Sequence, residues 1–128
     1  MEYSAIITVL VVLQLLIFTM LVGKSRQATG VKAPAVSGDP VFERYFRVHQ
    51  NSIETAVVML PAMWVFNMYW DPRIGAGLGL VYLISRFMYL RGYVADPAKR
   101  GKGFGLGFVC TIILIVGGLI GAVMAVIP

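Results

Sequence analysis

Thirteen residues near the middle of the chain, Phe42 to Glu54, hold two acids, two arginines, a histidine, a glutamine and an asparagine. On a helix advancing about 100° per residue, with Arg47 at zero, Glu43 falls at about −40°, Arg44 at about +60°, Gln50 at about −60°, Asn51 at about +40° and Glu54 at about −20°. Six polar side chains therefore share one face, and His49, at about 200°, points to a different neighbour. Further along, Tyr82, Arg86, Tyr89 and Tyr93 follow the i, i+4, i+7, i+11 spacing of a second polar strip. Arg47, Asn51, Glu54, Tyr89 and Tyr93, with Arg100 beyond them, offer cations for carboxylates, an acid for an ammonium, and amide and phenol donors. A small zwitterionic peptide matches that set. A purely structural reading stands beside it: Glu54 and Arg86 both lie about 14 to 16 Å deep at 1.5 Å per residue, so Arg86 is a candidate ion-pair partner of Glu54.

The chain carrying these strips has 128 residues, 59% of them hydrophobic and 13% charged, with a mean hydropathy of +0.82. That composition excludes an ordinary soluble domain. A hydrocarbon core about 30 Å thick takes about 20 helical residues per crossing, so four crossings use about 80 residues and leave short connections. The apolar runs put them at 3–23, 43–70, 74–94 and 104–127, an all-α integral membrane domain over 1–128. The first run opens with Glu2 and is too long for a signal peptide, so it is expected to persist as a span. The stretch 24–40, with Gly30, Pro34, Gly38 and Pro40, is expected to be non-helical, and Asp71-Pro72-Arg73 to form a tight turn.

Lys24, Arg26 and Lys32 in one connection and Lys99, Arg100 and Lys102 in another make both basic. The positive-inside rule places them in the cytoplasm and both termini across the membrane. Charges within spans normally face a bundle interior or a water-filled cavity. The polar strips are thus expected to enclose a cavity opening toward Arg100. A polar ligand would arrive from the cytoplasm and an apolar one laterally from lipid, the layout of a two-substrate transferase.

Other chemistries fit poorly. One histidine with scattered acids has neither metal-ligand spacing nor sulfur partners, so no metal site is expected. The lone Cys110 forms no disulfide scaffold and reads as a small buried hydrophobe. The net charge of +5 comes without a solvated basic stripe, which excludes nucleic acid as a partner. Gly101-x-Gly103-x-Gly105-x-Gly107 lacks the preceding strand of a phosphate loop and reads as loop flexibility and helix packing, as do the glycines at 75, 77 and 79 and at 117, 118 and 121.

The run Phe42-Glu43-Arg44-x-x-Arg47-x-His49-x-Asn51-x-x-Glu54, followed by Arg86-x-x-Tyr89-x-x-x-Tyr93 and Arg100, resembles the MAPEG family, membrane-associated proteins in eicosanoid and glutathione metabolism. The spacing is closest to the branch with microsomal glutathione transferase type 2 and the cysteinyl-leukotriene synthase. The resemblance implies a four-transmembrane-helix bundle assembling as a homotrimer, with glutathione as co-substrate bound between neighbours on the cytoplasmic side. It implies that Arg47, Asn51, Glu54, Tyr89 and Tyr93 hold glutathione from one subunit, that Arg26 and His49 reach it from the adjacent one, and that Arg100 is catalytic by stabilising the thiolate. A fixed cation lowers a thiol's pKa, and the thiolate is the nucleophile.

Thr55, His49 and Gln27 depart from the synthase pattern, which has an aromatic residue, a glutamine and a second arginine there. The implied function is accordingly a general one. It is a membrane glutathione transferase acting on lipophilic electrophiles from the bilayer, with glutathione-dependent peroxidase activity on lipid hydroperoxides, in detoxification. The short chain without a retention signal points to a bacterial inner membrane. The rivals are a non-catalytic lipid-binding relative, and a four-span multidrug exporter, whose intramembrane glutamate would lie in the first span, where this chain has no acid beyond Glu2.

Overall fold

A computed structural model describes all residues 1–128. Four helices follow one another: α1 (Glu2–Thr29), α2 (Pro40–Tyr69), α3 (Pro72–Ala95) and α4 (Gly101–Val126), with a 3-10 turn at Pro97–Arg100 leading into α4. α1 and α4 are long and apolar enough to cross a membrane, and most of their surface faces outward. α2 and α3 form the centre: each packs against all the other helices, whereas α1 and α4 lie on opposite flanks. The main core joins Ile7 and Val11 of α1, Ala56, Met59, Met63 and Phe66 of α2, Ala76 and Tyr82 of α3, and Cys110 and Leu114 of α4. The helix with the most charge, α2, is thus one of the two packed against all the others, as burial of polar groups away from lipid requires.

All three connections use one device. Asp39, Asp71 and Asp96 each precede a proline at the first position of the next helix or turn. The Asp39 carboxylate accepts from the Val41 and Phe42 N–H groups at 2.8 and 3.1 Å, Asp71 from Arg73 at 2.9 Å and Asp96 from Ala98 at 3.1 Å. An aspartate cap satisfies the orphan first-turn donors, and proline brings the required φ without a donor to lose. Pro40 therefore starts α2 rather than breaking a helix.

The helix boundaries depart from the apolar runs. α1 continues six residues beyond Gly23, through Lys24, Ser25 and Arg26, and ends at Gly30, whose φ of 76° gives the left-handed cap. The non-helical connection is 30–39 rather than 24–40, because lysine, arginine and glutamine propagate a helix well in water or at an interface. α4 likewise begins at Gly101, so the glycines at 101, 103, 105 and 107 are helical, not loop.

Candidate functional site

The polar half of α2 faces the end of α3 and the start of α4. Arg47, Gln50, Asn51 and Glu54 line a cavity of about 290 Å³ with Tyr89, Tyr93 and Arg100. The chain's two ion pairs, the N-terminal amine with Glu2 at 3.6 Å and Arg73 with Asp71 at 2.9 Å, both lie elsewhere. Arg47 and Glu54 therefore have no charged partner within the chain. The Tyr89 and Tyr93 rings lie 5.6 Å apart between centroids, tilted by 44°, and their phenols remain free to bond a ligand. Two cations, one carboxylate, two carboxamides and two phenols thus converge on one space, as the shared helix faces lead one to expect.

Arg100 reaches this space because the chain between α3 and α4 is tight. Its guanidinium donates to the Pro97 carbonyl at 2.8 Å and stands 6.0 Å from the Tyr93 ring centroid. Two glycines permit the approach. A Cβ on Gly92 would lie 2.6 Å from the Lys99 carbonyl oxygen, and one on Gly103 would overlap the Tyr89 backbone nitrogen and lie 2.9 Å from the Ser85 oxygen. Arg44 adds a tie by donating to the Val94 carbonyl at 3.0 Å, which fixes the last turn of α3 against α2.

Arg86 does not pair with Glu54. It is 1% exposed, and its Nη2 donates to Asn51 Oδ1 and Ser52 Oγ, both at 2.9 Å, with Nε 3.2 Å from the same serine. The guanidinium also lies 4.2 Å from the Tyr89 ring centroid. Equal depth made the ion pair sterically reasonable, but the α2–α3 packing turns Arg86 onto the Asn51–Ser52 side of α2. Glu54 stays exposed to the cavity. Arg86 is a structural cation held by neutral acceptors and a π face.

A second polar space, of about 320 Å³, is lined by Asn51, Tyr89, Arg100, Gly101 and Phe104. A third, of about 260 Å³, is mostly apolar: Val58, Phe104, Phe108, Ile112 and Ile115 line it with Glu54, Thr55, Tyr82, Arg86, Gly107 and Thr111. Shared walls make these spaces contiguous. Asn51, Tyr89 and Arg100 belong to the first two, Phe104 to the second and third, and Glu54 to the first and third. Within the apolar space the Thr55 and Tyr82 hydroxyls are hydrogen-bonded at 2.6 Å.

Arg26 and His49 are not brought into the polar cavity. Arg26 donates to the Ala35 carbonyl at 2.7 Å and covers the buried Phe42 ring at 4.6 Å. His49 Nε2 is 2.9 Å from Thr19 Oγ1 on α1, the different neighbour its helical angle implied. Gln50 is a cavity residue that the site assignment passed over, although it lies on the same face of α2 as Arg47. Phe104 and Gly92 had no such signal, since only tertiary proximity selects them from many similar residues, whereas Gly103 belongs to the glycine run read as flexibility and helix packing.

These helices and this cavity define a small helical membrane protein with a mixed-charge cavity beside an apolar one. The chain belongs to the MAPEG family, which it matches over residues 4–120. It is 38% identical to microsomal glutathione S-transferase 2 of Bos taurus over 117 residues, covering 91% of this chain and 80% of that one. It is 37% identical to leukotriene C4 synthase of Cavia porcellus over 96 residues, 75% of this chain and 64% of the synthase. An uncharacterized protein of Synechocystis is 41% identical over 118 residues, 92% of this chain and 86% of that protein.

Proposed function

We propose that this protein is a membrane-bound glutathione transferase, which activates glutathione as its thiolate and conjugates it to lipophilic electrophiles. The observation that carries the reading is the convergence of unpartnered Arg47 and Glu54 with two free phenols and Arg100, directly beside an apolar cavity. The names of its transferase and synthase relatives support it. Arg47 takes a carboxylate of glutathione, Glu54 its ammonium, and Asn51, Tyr89 and Tyr93 bond its remaining polar groups. Arg100 stabilises the thiolate, since a nearby cation favours the charged form of a thiol.

The thiol proton leaves to solvent. The sulfur lone pair then forms the carbon–sulfur bond as the electrophile's leaving group departs or its epoxide ring opens. A lipid hydroperoxide at the same sulfur would yield an alcohol and water as two glutathiones become the disulfide. The apolar cavity receives the lipophilic substrate from the bilayer.

In this reading 1–128 is one membrane domain. α2 and α3 cross the bilayer with α1 and α4, the basic connections face the cytoplasm of a bacterial inner membrane, and both termini lie opposite. Three copies assemble, and Arg26 and His49 complete the site of the adjacent copy. Neither lines the cavity of its own chain, which suits that division. Mixed trimers carrying His49→Ala in some subunits test it, with loss of binding expected in trans; loss confined to the mutated chain's own site would remove the interface role.

The decisive experiment follows thiolate ultraviolet absorbance on adding glutathione to the detergent-purified protein, then adding an aromatic electrophile. Wild type should give a signal that the electrophile consumes. Arg100→Ala should bind glutathione with little loss, give no thiolate signal and conjugate about 100-fold more slowly. A wild-type rate in that variant would remove Arg100 from the mechanism, and absence of glutathione binding in wild type would turn the reading toward a lipid-binding protein.

A further inference from the structure

The buried cation Arg86 contacts a residue of the proposed glutathione site without lining the polar cavity itself. A guanidinium has donors and no acceptor, so the Asn51 atom facing it must be the carbonyl oxygen. That oxygen is 2.9 Å from Arg86 Nη2. The other half of the carboxamide, Nδ2, has no partner in the chain, and Asn51 borders both polar spaces. A free asparagine shows either a donor or an acceptor by rotating its amide. This one cannot, because rotation would set its NH2 group against the guanidinium.

We infer that Arg86 is a positioning residue that locks the Asn51 amide with its N–H donors toward the cavity, so that the site accepts only an acceptor atom of the ligand opposite Asn51. The inference rests on the glutathione reading, in which that atom is a carboxylate or peptide carbonyl oxygen. The grip extends beyond one bond: Arg86 also binds Ser52, the next residue, through two nitrogens, and lies over the Tyr89 ring. Ser52 is itself 1% exposed, so the anchor is shielded from solvent. Two side chains that line the ligand space, Asn51 and Tyr89, are thereby set by one cation on α3.

Asn51→Asp separates the two halves of the amide. The aspartate keeps an acceptor for Arg86 and offers the ligand acceptors alone. Glutathione affinity, by calorimetric titration of the full chain in detergent, should fall at least about tenfold while the melting temperature holds. Arg86→Met should raise the KM for glutathione about fivefold, with kcat at saturating glutathione nearly unchanged. In an Asn51→Ala background the same Arg86 change should add less than about twofold, because its hydrogen-bonded route to the ligand is gone and only the ring contact with Tyr89 is left. Additive losses, or equal falls in kcat and affinity, would overturn the positioning role.

A stability cycle tests the contact without ligand. Asn51→Asp should leave the melting temperature unchanged when Arg86 is present and lower it when Arg86 is replaced by Met. Equal effects in both backgrounds would overturn the contact, and with it the inference. No glutathione binding by wild type, with that coupling intact, would remove the glutathione reading and this inference together; wild-type binding with additive losses would remove the inference alone.

Discussion

The two ends of the bundle use polar residues in opposite ways. Near the chain termini, Trp64 Nε1 donates to Thr8 Oγ1 at 2.9 Å, Asn67 Nδ2 to Ser4 Oγ at 2.7 Å and Trp70 Nε1 to the Gly117 carbonyl at 2.7 Å. Arg73 grips Asp71 through three contacts of 2.9 to 3.2 Å, which holds that carboxyl below the usual carboxylate range. The buried polar side-chain atoms there are consumed by other groups of the same chain, with Asn67 Oδ1 the one exception. Around Arg47, Glu54, Tyr89 and Tyr93, the charges and hydroxyls are gathered but left unspent. Polar groups satisfied internally hold helices together in an apolar medium, whereas gathered and unsatisfied ones are what the proposed ligand would engage.

Four substitutions test that contrast, beginning with the largest expected effect. Arg100→Ala should cost about 100-fold in conjugation rate without unfolding the protein, as set out above. Gly103→Ala comes close behind. A Cβ there overlaps the Tyr89 backbone and forces α4 away from α3. Displacing Arg100 by about 1 Å should lower the rate by about 100-fold while leaving glutathione affinity less affected, since misplacement of a reacting group costs on that order. An unchanged rate would show that Arg100 does not depend on the tight α3–α4 approach.

Glu54→Gln should weaken glutathione binding about tenfold and leave the melting temperature unchanged, because no cation in the chain pairs with Glu54. A fall in stability with normal affinity would move Glu54 into the class of the satisfied residues. Trp64→Phe should do the converse. It removes the hydrogen bond to Thr8, so stability should drop by about 1 kcal/mol in a denaturation titration, with glutathione affinity unaltered. A change in affinity there would mean that the two ends are coupled.

Part of this contrast was legible without coordinates. Four apolar runs give the four helices, and 100° per residue places Arg47, Asn51 and Glu54 on one face, where they line the cavity. The helix ends were less legible, since Gly23 looks like a boundary in an apolar run but lies inside α1, while the three Asp-Pro pairs mark true starts. Arg86 was a candidate partner of Glu54 and bonds Asn51 and Ser52 instead. Helical periodicity fixes depth and face along a single helix and carries no information on how far a neighbour is rotated about its own axis.

What the sequence determined by itself, then, is the membrane-suited composition, the helices, and the polar faces of α2 and α3 that cannot be left against lipid. It also carries the family, through spacings that persist along 4–120. The tertiary structure decided which polar groups consume one another and which remain free. Arg86 is occupied by Asn51 and Ser52 while Glu54 is left over, because the rotation and closeness of α2, α3 and α4 are set by packing at glycines such as Gly92 and Gly103. Those are sums over many weak contacts between residues distant in sequence, and no local pattern encodes them.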